Sequence, residues 1–142
     1  MQRDQFSYIK WSRGISPVAA VTDNTPFVSQ IIPVAGFDSL TFLGMVGSLA
    51  DADVVLTVLM EEGDDSGLSD AAAVADSDLI GTELGAAPLF SDDNKTFKLG
   101  YKGSKAYVRV TVTPSANTGN IFLAGGWLQG HPRRVPQTTQ VV

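Results

Sequence analysis

The chain contains no cysteine, which excludes disulfides, thiolate nucleophiles and cysteine zinc sites and leaves its redox compartment open. It has a single histidine, His131, so histidine-rich metal centres are excluded and an activated serine has only one candidate base. There is no G-x-S-x-G elbow and no G-x-x-x-x-G-K-[ST] phosphate loop, and Gly125, Gly126 and Gly130 lack dinucleotide-binding spacing. No apolar run approaches the roughly 20 residues of a membrane-spanning helix. The first residues, Met1 to Arg13, lack the apolar core of a signal peptide, so synthesis in the cytoplasm is expected. Positive charge is missing from most of the chain. Between Gly14 and Asn94 there are fourteen Asp and Glu and no Lys or Arg, whereas the flanks hold all ten Lys and Arg against Asp4 alone. With a net charge of -5 and an acidic middle, a nucleic-acid backbone is a poor partner. Basic ends on an acidic body suit docking onto protein, or like subunits set head to tail.

What is present is strand pattern. In Lys105 to Pro114, Ala106, Val108, Val110 and Val112 fall on one face, and Lys105, Tyr107, Arg109, Thr111 and Thr113 on the other. That two-residue alternation predicts a strand with one dry side, ended by a proline that has no amide hydrogen to donate. Strands are also expected over Pro17–Thr22, Phe27–Pro33, Leu40–Val46, Val54–Met60, Pro88–Phe90, Thr96–Lys102 and Ile121–Leu128. A chain of 142 residues with fourteen Gly and seven Pro then reads as one all-β domain, two packed antiparallel sheets in a jelly-roll-like sandwich. Gly103-Ser104 predicts a hairpin joining Thr96–Lys102 to the opening strand, which would align Lys98, Lys102, Lys105 and Arg109 as a basic stripe. Ser69 is placed to cap a helical turn over Ala71–Ala75. Gly125-Gly126 predict a bulge or a close backbone approach, and Trp127 a core position.

The two ends read as extensions, with the sandwich domain spanning residues 17–131. Residues 1–16 carry Phe6, Tyr8, Ile9 and Trp11 among Arg3, Lys10 and Arg13, too much aromatic surface for water and too short for a core. They form either a first strand on the parent sandwich or an arm that lies on a partner. Residues 132–142, with Arg133, Arg134 and two prolines, predict an extended tail able to add as a strand to a neighbour's edge. The acidic loop from Glu61 to Gly67 is long enough to suggest a contact, through Asp64 and Asp65. Asp64, Asp65 and Asp70 lack the D-x-D-x-D-G order of a calcium loop, so no metal or other cofactor is expected. His131 reads as structural or solvated, and Asn94-Lys95-Thr96 as a turn.

Several blocks carry a family likeness: Leu49-Ala50-Asp51-Ala52-Asp53, Leu68-Ser69-Asp70-Ala71-Ala72-Ala73-Val74-Ala75-Asp76, Asp92-Asp93-Asn94-Lys95-Thr96, Gly100-Tyr101-Lys102-Gly103-Ser104-Lys105, Asn117-Thr118-Gly119-Asn120 and Gly130-His131-Pro132-Arg133. Together they make the chain, over roughly Val18 to Pro136, similar to the capsid cement proteins of tailed, and especially short-tailed, bacteriophages. The resemblance implies a jelly-roll sandwich on the outer surface of a phage head that bridges major capsid protein subunits non-covalently. It implies no catalytic residues.

The expectation is therefore a structural virion protein and not an enzyme, with the major capsid protein as partner and Phe6, Tyr8, Ile9, Trp11, Asp64, Asp65, Arg133 and Arg134 as contact candidates. A homo-oligomer is expected, a dimer or a trimer matching a capsid three-fold axis. The rival reading is a carbohydrate-binding or tail-attached jelly-roll module, with Tyr101, Tyr107 or Trp127 as an aromatic platform. A cupin-like enzyme is excluded by the single histidine.

Overall fold

A computed structural model of the chain describes residues 3–142. Ten strands are present among these residues: β1 (Ile9–Ile15), β2 (Phe27–Val28), β3 (Ile32–Pro33), β4 (Phe37–Leu49), β5 (Val55–Gly63), β6 (Ala72–Ala73), β7 (Leu79–Ile80), β8 (Thr96–Tyr101), β9 (Tyr107–Ser115) and β10 (Ile121–Pro132). One short helix, α1 (Glu83–Ala86), and two 3-10 turns, Phe6–Tyr8 and Asp76–Asp78, complete the elements.

The strands form two antiparallel sheets. Sheet A has the order β1-β10-β4-β8-β7, and sheet B the order β2-β9-β5-β6, with β3 also on β9. The pairs β1·β10, β2·β9, β4·β8 and β5·β6 nest one inside the next along the chain. That nesting is the jelly-roll wrapping, in which a long hairpin is rolled so that its paired strands alternate between two sheets.

The core lies between the sheets and is built by period-two alternation. Val108, Val110 and Val112 of β9 are fully buried, and Leu56, Val58 and Met60 of β5 face inward beside them. From sheet A, Leu40, Phe42, Val46, Leu99, Ile121, Leu123 and Trp127 fill the opposite side. Trp127 packs edge-on against Phe42, with ring centroids 5.0 Å apart, an arrangement that suits the ring quadrupoles. Its indole N–H donates to the carbonyl of Gln30 at 3.2 Å, which satisfies the polar end of a buried ring. The Gly125-Gly126 pair marks a close approach on both sides of β10. A Cβ at Gly125 would strike the Phe42 ring, and one at Gly126 would lie 2.6 Å from the Trp11 ring.

Six local expectations are corrected. Pro17–Thr22 is not a strand, since only Val21 makes an isolated bridge, to Ile121. Pro114 does not end its strand, because it pairs with Leu56 inside β9, which runs on to Ser115. Thr96–Tyr101 and Tyr107–Ser115 are not a hairpin: β8 lies in sheet A and β9 in sheet B, so the short link between them crosses the sandwich. The basic stripe is divided accordingly, with Lys98 on sheet A, Arg109 bonded to Glu61 at 2.7 Å and Lys105 to Asp64 at 2.7 Å. Ala71–Ala75 is not a helical turn, because Ala72 and Ala73 pair with Glu62 and Glu61 and carry Val74 into the core. Pro88–Phe90 is a turn region, not a strand. The helix that does form is α1, capped by the Thr82 hydroxyl, which accepts from the Gly85 N–H at 2.9 Å.

Candidate docking face

Alternation in sheet A also decides what points outward. Along the Leu40–Val46 stretch of β4 the buried residues are Leu40, Phe42, Gly44 and Val46, so Thr41, Leu43 and Met45 face out. Across β10 the register places Leu128 beside Thr41, Gly126 beside Leu43 and Ala124 beside Met45. On β1, Trp11 pairs with Leu128 and Arg13 with Gly126; on β8, Lys98 pairs with Leu43 and Thr96 with Met45. The result is an apolar floor of Leu43, Met45 and Ala124, walled by Trp11 on one side and Lys98 on the other. Trp11 is 51% exposed and Met45 61%, two large apolar side chains in water lining one groove.

This floor lies in a groove of about 800 Å³. Its charged side chains are Arg13 and Lys98, and no Asp or Glu lines it among the described residues. In a chain of net charge -5, that is a local inversion of sign. A second hollow of about 450 Å³ lies on the other side of Trp11 and Leu128, lined by Tyr8, Ile9, Ser39, Thr41 and His131 among others. There the Ser39 Oγ and His131 Nδ1 are 3.0 Å apart. No carboxylate is hydrogen-bonded to the other ring nitrogen among the described residues, so the pair lacks the third group that orients the base of a catalytic triad.

The contact candidates divide into two groups. Tyr8, Ile9 and Trp11 all border the sheet A hollows. Phe6 lies in the turn before them, 54% exposed. Residues 9–15 are thus the edge strand of sheet A. Arg133 and Arg134 flank a neighbouring hollow together with Ile9 and Lys10. Arg133 bonds Asp38 at 3.1 Å, both side chains in water, a pair of little energetic weight. Asp64 and Asp65 lie away from these, in the loop after β5, and their carboxylates are engaged. Asp64 accepts from the Lys105 ammonium and, at 3.3 Å, from the Ala106 N–H. Asp65 accepts from the Ser69 and Gly67 N–H groups, which hold its carboxyl below the ordinary aspartate value. Asp70 in turn accepts from the Asp64 and Asp65 N–H groups, which lower its carboxyl too.

Of the aromatics proposed as a glycan platform, Trp127 and Tyr101 are buried. Tyr101 donates to Glu62 at 2.6 Å and accepts from the Lys105 N–H at 3.0 Å, and burial foremost raises its phenol above the ordinary tyrosine value. The sequence marks Leu43 and Met45, apolar residues on the second face of a strand whose first face is already apolar, as a strand covered on both sides or one whose outer side meets another protein, and the structure places both on the outer face. Lys98 reads from the sequence only as part of the basic stripe.

No protein-family model matches the chain, and no curated protein matches its sequence. Among solved structures, the chain is similar to the CBM22-1 xylan-binding domain of Paenibacillus barcinonensis Xyn10C, with 9% identity over 87% of this chain and 83% of that one and a TM-score of 0.47. It is also similar to the C-terminal family 22 carbohydrate binding module of Clostridium thermocellum Xyn10B, with 10% identity over 91% and 90% of the two chains and a TM-score of 0.36. A third similar structure is the CBM32 of AlyQ in complex with 4,5-unsaturated mannuronic acid, with 11% identity over 91% and 81% and a TM-score of 0.36. The likeness is one of β-sandwich fold, and at these identities it transfers no ligand and no residue role.

Proposed function

We propose that this chain is a structural docking protein that binds the outer surface of a bacteriophage head through the outer face of sheet A and cements major capsid protein subunits non-covalently. The observation that carries the docking reading is the groove walled by Trp11 and Lys98. The identity of the shell comes from the sequence resemblance described above. An apolar floor with one large exposed aromatic resembles the anchoring centre of a protein interface, where a few such side chains supply most of the binding energy. Arg13 and Lys98 at its rim suit an acidic partner surface and would steer encounter more than they add affinity. A copy touching two capsomers makes its second contact effectively intramolecular, so modest contacts repeated over a shell reinforce it. Co-sedimentation with heads that lack the protein tests this reading.

A second reading is favoured by one feature, the position of Trp11 between Arg13 and Lys98: an acidic polysaccharide could stack a sugar on the indole and place carboxylates on the two cations. Carbohydrate binding is also what the names of the structural neighbours describe. Neutral glycans fit less well, because Arg and Lys only donate, and sugar hydroxyls need acceptors that among the groove side chains come from Thr96 and Gln140. Titration with uronate oligosaccharides separates the two readings.

A further inference from the structure

We infer that the C-terminal segment, residues 137–142, is an exchangeable strand that pairs with β1 of a second copy of this chain. The inference concerns the isolated protein and does not depend on the shell reading.

The receiving site is an open sheet edge. Of the four strands at the ends of the two sheet orders, β1 has seven residues, whereas β2, β6 and β7 have two each. One side of β1 pairs with β10 from Ile9 to Ile15. On the other side, the backbone bonds that reach it are the Gln137 N–H to the Ser7 carbonyl just before it and the Gln30 N–H to the Gly14 carbonyl near its end. Between these points, Lys10 to Arg13 have no backbone partner on that side among the described residues. A row of unpaired N–H and C=O groups is a template for another strand.

The donor is adjacent and underused. From Gln137 beside Ser7, the tail continues past Ile9 and Lys10, and Val142 reaches the hollow lined by Ser12 and Arg13. It therefore tracks β1 in parallel, but forms no ladder with it. Thr138, Thr139, Val141 and Val142 are β-branched, and the segment contains no Gly, Pro or charge, a composition that favours a strand. Yet Val141 is 90% exposed and Val142 61%. Within one chain, residues 133–136 must turn back around the start of β1 while Arg133 is tied to Asp38 and to the Gly36 carbonyl, and pairing stops at a single bond. A second copy's tail arrives without that turn. Six residues extended span about 20 Å, enough to lie along the whole open stretch of β1. Two chains exchanging tails satisfy each other by the same contact twice, which closes a two-fold dimer.

The absence of native cysteine makes the test direct. Single variants Ser7→Cys and Gln137→Cys are mixed and oxidised gently, and sedimentation of the unmodified chain is compared with that of a chain ended after Pro136. The inference expects disulfide-linked dimers in the mixture, a loss of them when the Gln137→Cys chain also carries Thr139→Pro, and a dimer weakened roughly tenfold or more by truncation. It is overturned if the mixture gives no covalent dimer while a chain carrying both cysteines closes its disulfide internally, or if the unmodified chain is a monomer at every concentration, or if truncation leaves dimerisation unchanged. Head binding by a monomeric chain would overturn the exchange and leave the docking reading standing.

Discussion

The indole of Trp11 lies across the bare backbone of Gly126, so closely that a Cβ on that glycine would stand 2.6 Å from the ring and 2.7 Å from the Ser12 carbonyl oxygen. The missing side chain on the middle strand is what lets an edge-strand aromatic lie over the sheet and wall the groove. Gly126→Ala is therefore expected to displace the ring and strain the β1·β10 pairing, at a cost of about 1–3 kcal/mol. Trp11→Ala, by contrast, removes a half-exposed ring and should leave the melting temperature close to that of the parent while weakening partner binding by at least about thirtyfold, the effect of losing roughly 2 kcal/mol at an interface. Thermal melts and binding isotherms of the two variants separate these outcomes.

Much of this sandwich was legible in the sequence because alternation reports burial directly. Val108, Val110 and Val112, and Leu40, Phe42 and Val46, are core residues at the positions their spacing predicts, and Trp127 is wholly buried. What alternation does not report is which sheet a strand joins. Gly103-Ser104 looked like a hairpin turn, yet the same short link carries the chain from one sheet to the other, since the pairing partners of β8 and β9 are β4 and β5, far away in sequence. Alanine propensity at 71–75 was overridden by pairing with β5 and by burial of Val74. The docking face was half legible: Trp11 and Tyr8 are aromatics in a short basic segment, and Leu43 and Met45 are apolar on the second face of their strand, but that these residues share one groove with Lys98 emerges only when four strands are laid side by side.

The core should respond to Phe42 as a keystone. Its ring contacts Trp127 at a centroid distance of 5.0 Å and Phe97 at 6.1 Å, and none of it is exposed. Phe42→Ala is expected to cost about 3–5 kcal/mol, measurable as a shift of the denaturation midpoint with unchanged slope.

Acid should open the loop after β5 before it unfolds the sandwich. Asp65 is held below its ordinary value of 3.8 first by the Ser69 N–H and then by that of Gly67, and Asp70 by the N–H groups of Asp64 and Asp65. A carboxyl lowered in the folded state contributes stability that is full above its unfolded value and lost as pH falls through the folded one. The Ser69, Gly67, Asp64 and Asp65 amide resonances should hold their positions down to about pH 4 and move together below 3.8. Asp70→Asn should abolish the acid shift of the Asp64 and Asp65 amides, which bond Asp70 itself, and move that of the Ser69 and Gly67 amides to lower pH, because the Asp70 charge raises the Asp65 carboxyl. An onset already complete near neutrality would contradict the assignment.

Alkali acts at the other end of the range, on Tyr101. Burial, and then the hydrogen bond to Glu62, raise its phenol above the ordinary value of 10, so the folded state holds the proton more tightly than the unfolded chain does. That stabilisation is complete below pH 10 and declines as pH rises through the folded value. Tyr101→Phe should remove the last component of the phenolate absorbance titration. At neutral pH it should destabilise the fold by about 1–3 kcal/mol, because Glu62 loses a donor and the Lys105 N–H an acceptor.

The central claim is that the groove face of sheet A docks onto a phage shell. Its most direct test is co-sedimentation of the purified chain, its Trp11→Ala variant and its Lys98→Glu variant with heads that lack the protein, across a salt series. The account predicts saturable binding by the parent chain that weakens as salt rises, loss of binding by Trp11→Ala, and a flatter salt dependence with weaker binding for Lys98→Glu. Absence of binding at any salt, together with saturable binding of uronate oligosaccharides by the parent chain, would contradict it.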